Sequence, residues 1–183
     1  MKKILLFLAA VAMLAACHEK PTHTMTQQFD NNVGVNDTTL YGRLGEDIGA
    51  LTFCMITDKG DTLQCVVEEA DDSLGTDPVK GGKGIGDRMA VMAAKNSDGE
   101  YVVQLAVNLT TLLGKWTALD KSFEIKEGGI VVSNFSEPKP YTEWSIANGR
   151  LVLSADTFDI YELGADSLLL ENAKGIYAYK RQK

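Results

Sequence analysis

A β-hairpin is encoded by the stretch Trp144-Ser145-Ile146-Ala147-Asn148-Gly149-Arg150-Leu151-Val152-Leu153. Apolar and polar side chains alternate on both sides of Asn148-Gly149, and Asn-Gly is the strongest short hairpin signal because both residues tolerate positive φ. Similar turn signals lie between β-rich segments at residues 58–61, 97–99, 127–129 and 164–166. No window after residue 38 places apolar residues at helical spacing over three turns. The sequence therefore predicts an all-β protein with turns about every 8–12 residues.

The second half of the chain, which contains this hairpin, divides into eight short predicted strands. They are placed near residues 115–119, 122–126, 130–133, 141–147, 150–154, 158–163, 167–171 and 176–180. Alternating apolar side chains, among them Ile130, Val132 and Trp144, fall at positions that can face inward. An eight-stranded barrel is just wide enough for side chains to fill it. The pattern therefore predicts a packed interior rather than a ligand cavity.

The tripeptide Gly114-Lys115-Trp116 opens this half and resembles the Gly-x-Trp signature that begins the first strand of lipocalins. The resemblance covers about residues 112–181 and implies a miniature, lipocalin-like antiparallel meander, since true lipocalins are much longer. It also implies that Trp116 closes one end of the barrel beneath a late basic side chain. Arg181 or Lys180 would take that place, so barrel closure is expected to involve Gly114, Trp116 and Arg181.

The first half contains five predicted strands, at residues 39–44, 51–57, 62–67, 88–94 and 101–108, with a long loop at 69–86. This layout resembles an OB-fold barrel, a fold that often binds oligonucleotides or oligosaccharides across one face. A nucleic-acid site is not expected, because the basic groove and stacking aromatics that such sites use are missing. We place the boundary near Thr110, which gives an OB-like domain at 38–110 and a lipocalin-like domain at 111–183.

The amino terminus has the pattern of an export signal. Two lysines, an uncharged apolar run at residues 4–14 and two alanines precede Cys17. This arrangement is typical of a secretory signal peptide, and the run is shorter than the about 20 residues of a transmembrane helix. Leu14-Ala15-Ala16-Cys17 resembles the lipobox of bacterial lipoproteins. The resemblance implies a signal peptide at 1–16, cleavage before Cys17, and acylation of Cys17 with chains such as palmitate.

The mature chain is expected to be acidic and attached to a membrane by lipid. Removal of residues 1–16 takes away two lysines and leaves 16 basic against 25 acidic residues, a net charge of −9. Such a chain gains no counterion-release affinity for nucleic acid. Residues 17–37 are polar and read as a lipidated flexible tether. The predicted location is the cell envelope, with the outer membrane favoured and its face left open. Four triplets also resemble the O-glycosylation sites of exported Bacteroides-type proteins: Asp37-Thr38-Thr39, Asp61-Thr62-Leu63, Asp72-Ser73-Leu74 and Asp166-Ser167-Leu168.

Two cysteines flank the Lys59-Gly60 turn symmetrically, so Cys54 and Cys65 are expected to face each other across a hairpin. An oxidising envelope would allow a disulfide between them. Ile56 and Leu63 are expected on the same face, which instead favours two thiols in a core, and both states remain open. A zinc site is not expected, because no further Cys or His lies nearby to complete four ligands.

Few features of the sequence indicate catalysis or a bound cofactor. The two histidines, His18 and His23, lie in the tether, which excludes a Ser-His-Asp or Cys-His arrangement within the fold. The glycine-rich run at 81–86 leads into a strand rather than a helix, unlike a phosphate loop, and the acidic residues at 68–77 do not follow a calcium-loop pattern. We therefore expect no enzyme, no cofactor and no metal.

The leading prediction is a binding or accessory module for an envelope protein or a glycan. One alternative is a carrier of small apolar ligands that uses the second barrel as a calyx. A weaker alternative is a glycan hydrolase with paired acids such as Glu143 and Glu162, since glycosidases need two carboxyl groups about 5–9 Å apart.

Overall fold

The computed structural model describes residues 36–68, 77–133 and 138–182. The predicted signal peptide, Cys17 and the tether up to residue 35 lie outside these ranges. The described chain is all-β, with a closed five-stranded barrel followed by a nearly closed eight-stranded antiparallel barrel. The predicted fold class is therefore confirmed.

The first barrel has the strand order and closure of an OB-like fold. Its strands are β1 (Leu40–Ile48), β2 (Thr52–Thr57), β3 (Thr62–Val67), β4 (Val79–Lys80), β5 (Arg88–Lys95) and β6 (Tyr101–Asn108). They are hydrogen-bonded in the order β3-β2-β1-β5-β6, and a parallel pairing of β3 with β6 closes the ring. β4 pairs with the later part of β6, also in parallel. The segment at 69–86, which was predicted to be a loop, therefore contains a strand. With only two residues, this strand is too short to show an alternating pattern in the sequence.

The interior of the first barrel is mainly aliphatic. Its buried residues are Leu44, Phe53, Met55, Leu63, Cys65, Val67, Val79, Met89, Val91, Val103 and Ala106. Gly42 lets β1 approach β2 closely, since a Cβ at this position would lie 2.5 Å from the Ile56 carbonyl oxygen. A side chain there would force the two strands apart, and this explains a glycine inside a strand.

The β2–β3 hairpin has a different register from the predicted one. Its turn has three central residues, 58–60, with the Thr57 amide bonded to the Asp61 carbonyl and Gly60 at φ +89°. Three-residue hairpin loops commonly place a left-handed residue at the last position. Phe53 therefore pairs with Cys65, and a one-residue change of register turns a side chain to the opposite face.

The two thiols consequently lie on opposite faces of the sheet, and the prediction that they face each other is wrong. Cys65 is buried in the core, Cys54 is half-buried on the outer face, and both are free thiols. Leu63 is buried with Cys65, whereas Ile56 is 50% exposed, so the expected shared face of these two residues is also wrong.

A short helix, α1 (Leu109–Leu112), links the two barrels. The second barrel consists of β7 (Gly114–Thr117), β8 (Ser122–Lys126), β9 (Ile130–Ser133), β10 (Trp144–Ala147), β11 (Arg150–Leu153), β12 (Asp156–Leu163), β13 (Ser167–Asn172) and β14 (Gly175–Gln182). Their order is β10-β11-β12-β13-β14-β7-β8-β9. An isolated bridge joins Ile130 of β9 to Glu143, the residue before β10. Within the described residues, no helix is long and apolar enough to cross a bilayer.

Aromatic rings fill much of the second barrel's interior. Phe123 contacts Tyr179 and Tyr141 edge to face, with ring centroids 5.0 and 5.6 Å apart, and Phe158 continues the cluster at 6.4 Å from Tyr141. Such T-shaped pairs are the favoured arrangement of aromatic rings. Buried aliphatic side chains from β8 to β13 pack around them. The interior is therefore occupied by side chains.

On β9, however, Val131 and Ser133 are buried. The prediction that Ile130 and Val132 face inward is wrong, because they are 52% and 41% exposed.

Gly114, Trp116 and Arg181 meet at one end of this barrel. Trp116 is fully buried and its Nε1 donates to the Leu112 carbonyl at 2.8 Å. The Arg181 guanidinium lies 4.2 Å from the indole centroid, whereas Lys180 is exposed. The Arg181 guanidinium also donates hydrogen bonds to three carbonyl oxygens, those of Leu113, Thr111 and Ala165. A Cβ on Gly114 would lie 2.5 Å from Arg181 Nη1, so this glycine leaves room for the guanidinium.

Candidate functional site

A cleft opens between the two barrels, with a volume of about 560 Å³. Tyr41, Arg43 and Arg88 line it from the first barrel, and Glu127, Trp144 and Ser145 line it from the second. We call this region the inter-barrel cleft. A second hollow of about 420 Å³ adjoins it, shares Trp144 and Ser145 with it, and is also lined by Glu143. The two hollows therefore form one surface depression that passes Trp144.

The cleft lies at the seam where the second barrel does not fully close. Gly128 and Gly129 adopt φ of +75° and +79° and turn the chain from β8 into β9, so the β9 ladder begins beyond them. Asn148 and Gly149 also have positive φ, the geometry of a two-residue hairpin turn. In such a hairpin alternate residues point their backbone groups away from the partner strand. On β10 the backbone groups that point away from β11 are those of Trp144 and Ile146, and both residues line the cleft.

The first-barrel wall is held by a chain of contacts. Arg88 forms a two-pronged ion pair with Asp58, and its guanidinium lies 5.9 Å from the centre of the Tyr41 ring. The bond from Arg88 holds the pKa of Asp58 below its ordinary value, so the carboxylate stays charged at neutral pH. Burial raises the pKa of Tyr41, which keeps its hydroxyl protonated. That hydroxyl donates to the Ile146 carbonyl at 2.5 Å, so Tyr41 ties the first barrel to the second.

Arg43 stands beside this chain with much of its guanidinium exposed. Its Nη1 donates to the Gly86 carbonyl at 3.0 Å, which orients the side chain along the cleft wall. A guanidinium has five N–H donors in a planar fork. The geometry therefore leaves donors of Arg43 directed at solvent in the cleft.

The second-barrel wall presents an oriented tryptophan. The Nε1 of Trp144 donates to the Lys126 carbonyl at 2.6 Å, and its side chain is half-buried. The sequence pattern places Trp144 at an inward-facing position; the indole packs against the core of the second barrel and also borders the cleft. Glu127 and Ser145 flank it as exposed polar groups. The wall thus combines an aromatic surface with hydrogen-bonding groups.

Residues 37–39 fix the entry of the chain against the second barrel. Asn148 donates from its backbone amide to Asp37 Oδ1 at 3.0 Å, and its Oδ1 accepts from the Thr38 amide at 3.1 Å. The Asn148 amide also approaches Thr39 Oγ1 at 3.0 Å. Asn148 lies two residues beyond Ile146, so residues 37–39 contact the second barrel near one end of the cleft.

A second contact between the barrels lies around β4. The buried Lys80 donates to the Tyr161 carbonyl at 2.8 Å, and burial lowers its pKa. Gly81 packs so tightly that a Cβ would lie 2.9 Å from Leu163 Cδ2. Lys83 donates to the carbonyls of residues 49 and 50 at 2.8 and 2.7 Å. The glycine-rich segment at 81–86 therefore contributes to packing, and its lysine is engaged by the first barrel.

The candidate acids of the sequence are not gathered into one site. Glu143 lines the adjoining hollow, while Glu162 lies on β12 and accepts a bond of 2.6 Å from Ser167 Oγ. In residues 36–68, 77–133 and 138–182 no group of three or more His, Cys, Asp or Glu side chains could hold a metal ion. Cys17, the predicted lipidation site, lies outside these ranges.

Sequence reasoning missed the cleft, because its walls come from segments about a hundred residues apart. A usable signal was the presence of Tyr41 and Arg43 at alternate positions of one strand, which puts both side chains on the same face. Comparison with protein-family models, curated proteins and solved structures finds no match. The function must therefore be inferred from the chemistry of the cleft.

Proposed function

We propose that the protein is a non-catalytic lipoprotein of the bacterial cell envelope that binds a partner protein or a glycan in the inter-barrel cleft. The observation that carries this proposal is the cleft itself, about 560 Å³ of space bounded by oriented side chains of both barrels. Ligand sites are typically clefts of about 300–1,000 Å³ that combine apolar or aromatic surface with a few placed polar groups. Trp144, Tyr41 and Arg43 supply this combination.

The two barrels hold the cleft in a fixed shape. Tyr41 joins them on one side through Ile146, and Lys80 joins them on another through Tyr161. Ala90 and Val107 of the first barrel belong to the same buried cluster as the interior of the second. A site whose walls are already ordered binds with a smaller entropic cost than one that must be assembled. The arrangement therefore favours recognition of a ligand by a preformed surface.

The two alternative functions receive less support. A calyx for apolar ligands would need space inside the second barrel, which rings and aliphatic side chains occupy. A carboxylate hydrolase built on Glu143 and Glu162 would need both groups on one ligand, yet Glu162 is engaged by Ser167 and only Glu143 borders the described hollows. Binding without catalysis accounts best for the geometry.

The membrane anchor is tested by changing the acylated cysteine. Cys17→Ser is expected to leave the leader uncleaved and the chain without lipid, because the acylated thiol is the attachment point. Fractionation and intact-mass measurement check this, with Cys54→Ser as the matched control that keeps its lipid. An unchanged mass and membrane fraction for Cys17→Ser would contradict lipid anchoring.

The binding site is tested by photocrosslinking in intact cells. A photoreactive side chain at Ser145, which is exposed in the cleft, is compared with the same group at Asp98, which is exposed on the β5–β6 turn. We expect a discrete adduct, protein or glycan, from position 145 and none from position 98. Identical adducts from both positions, or no adduct at 145, would count against the cleft as the site.

A further inference from the structure

We infer that the ligand of the inter-barrel cleft is a neutral oligosaccharide. This inference rests on the proposed function of the cleft and adds the chemical class of its ligand. Three observations carry it: an oriented, half-buried tryptophan, a charge-balanced pair of polar walls, and a strand edge that is already occupied.

Trp144 provides a surface that suits a sugar ring. Its Nε1 bond to the Lys126 carbonyl fixes the indole, which packs partly against the core of the second barrel, and Trp144 lines both hollows of the depression. An aromatic ring carries a negative face, which attracts the polarised C–H groups on the flat side of a pyranose. A ring oriented before binding loses little further freedom when the sugar stacks. Two adjoining hollows that share Trp144 also suit a ligand of several units rather than a monosaccharide.

The polar groups of the cleft match hydroxyl groups rather than a charged ligand. Arg43 can donate hydrogen bonds from one wall, and Glu127 can only accept them on the other. A sugar hydroxyl donates and accepts at once, so it can bond to both. The charges of Arg43 and Glu127 balance, and the charge of Arg88 is balanced by Asp58. An anionic ligand would therefore find no net positive charge in the cleft.

An extended peptide fits this site less well. Peptides that bind at a strand edge add main-chain hydrogen bonds to it, and β10 is the strand edge at the cleft. The Ile146 carbonyl already accepts from Tyr41, and Gly129 lies against the Trp144 carbonyl, where an added Cβ would be 3.2 Å away. An apolar ligand is also disfavoured, because it would desolvate Arg43 and Glu127 without replacing their hydrogen bonds.

Tryptophan fluorescence gives a direct test, because the two tryptophans differ in exposure. Trp116 is fully buried beneath Arg181, whereas Trp144 is half-buried at the cleft. The mature lipoprotein in detergent is titrated with cello-, malto-, xylo- and manno-oligosaccharides, and with oligogalacturonate as the acidic counterpart. We expect a saturable change with at least one neutral series, and no such change in Trp144→Phe.

Calorimetry on matched variants assigns the contacts. Trp144→Ala, Arg43→Ala and Glu127→Gln should each weaken binding of the neutral oligosaccharide about tenfold or more, which corresponds to about 1.4 kcal/mol. Lys174→Ala, on the exposed β13–β14 turn, should bind as the unchanged protein does. Thermal unfolding of each variant checks that the fold persists, and Trp144→Phe replaces Trp144→Ala if the alanine variant unfolds.

The outcomes separate this inference from the proposed function. Preference for oligogalacturonate, or neutral binding that none of the three variants alters, would overturn the assignment. A protein adduct at position 145 without saturable sugar binding would overturn the glycan ligand and leave the cleft as a binding site. Absence of both sugar binding and an adduct at position 145 would overturn the inference and the proposed function together.

Discussion

The two barrels of this chain close in different ways. In the first, residues 65–67 of β3 pair in parallel with residues 101–103 of β6, so backbone hydrogen bonds run around the ring. In the second, β9 and the residue before β10 meet at an isolated bridge, aromatic rings fill the interior, and Arg181 covers Trp116 at one end. Backbone pairing thus closes the ring of the first barrel, whereas the ring of the second is nearly closed.

This difference explains where the cleft lies. A strand edge that lacks a complete partner exposes amide and carbonyl groups, which proteins cover or use. Here Tyr41 of the closed barrel covers part of the β10 edge, and the remaining space forms the cleft. The open seam of one barrel and the outer face of the other together make a surface that neither has alone.

The closed barrel should protect its thiol strongly. Burial raises the pKa of Cys65 from 9.0 to about 12, so its thiolate is scarcer than that of an ordinary thiol by about a thousandfold near neutral pH. Iodoacetamide at pH 8 should therefore alkylate Cys54 well before Cys65, and peptide mass spectrometry measures both rates. Equal rates would contradict a sealed first barrel, and a Cys54–Cys65 disulfide would contradict the register.

Trp116→Ala should destabilise the second barrel severely. Removing a fully buried tryptophan costs about 3–5 kcal/mol, and here it also removes the surface on which Arg181 lies. Urea unfolding measures the loss, while the alkylation rate of Cys65 reports whether the first barrel stays closed. Trp144→Ala is the control and should cost clearly less, because Trp144 is half-buried. Equal losses would refute the closing role of Trp116.

Arg181→Ala should have a smaller but distinct effect. The guanidinium donates to three carbonyl oxygens, and a hydrogen bond that involves a charged group contributes about 1.5–3 kcal/mol to stability. Because the three bonds share one side chain, their contributions do not add in full. We expect a decrease of about 2–3 kcal/mol in the free energy of unfolding. Arg181→Lys should not restore it, because an ammonium group lacks the planar fork. Lys180→Ala, at an exposed neighbouring position, should change little; a comparable loss there would contradict this role.

Tyr41→Phe should produce the smallest effect, at the seam between the barrels. It removes the hydroxyl bonded to the Ile146 carbonyl, which corresponds to about 0.5–1.5 kcal/mol. Urea unfolding is again the measurement, and Tyr161→Phe, at a 49% exposed side chain, is the control. Equal stability of Tyr41→Phe and the unchanged protein would show that this contact does not hold the barrels together.

Local patterns in the sequence carry much of the fold. The alternation around Asn148-Gly149 predicts the β10–β11 hairpin, and the five and eight strands follow from the same period of two. Gly114 and Trp116 indicate one end of the second barrel through a resemblance, and the structure places Arg181 there. These features depend on residues that lie close together in the chain, so the sequence alone indicates them.

The register of the β2–β3 hairpin and the cleft required the tertiary structure. The register depends on whether the turn holds two or three residues, and Asp58-Lys59-Gly60-Asp61 is compatible with either length. Trp144 alternates with buried residues and yet borders the cleft, because its barrel opens at that strand.

The amino-acid pattern alone predicts most of the strands, the division into two barrels and a lipid anchor at Cys17. The contact of Tyr41 with Ile146, and the cleft shared by Arg43, Glu127 and Trp144, are visible only in the folded molecule. These residues lie far apart along the chain. Hydrophobic periodicity specifies which face of a strand is buried, but contacts between residues about a hundred positions apart depend on how two finished barrels pack.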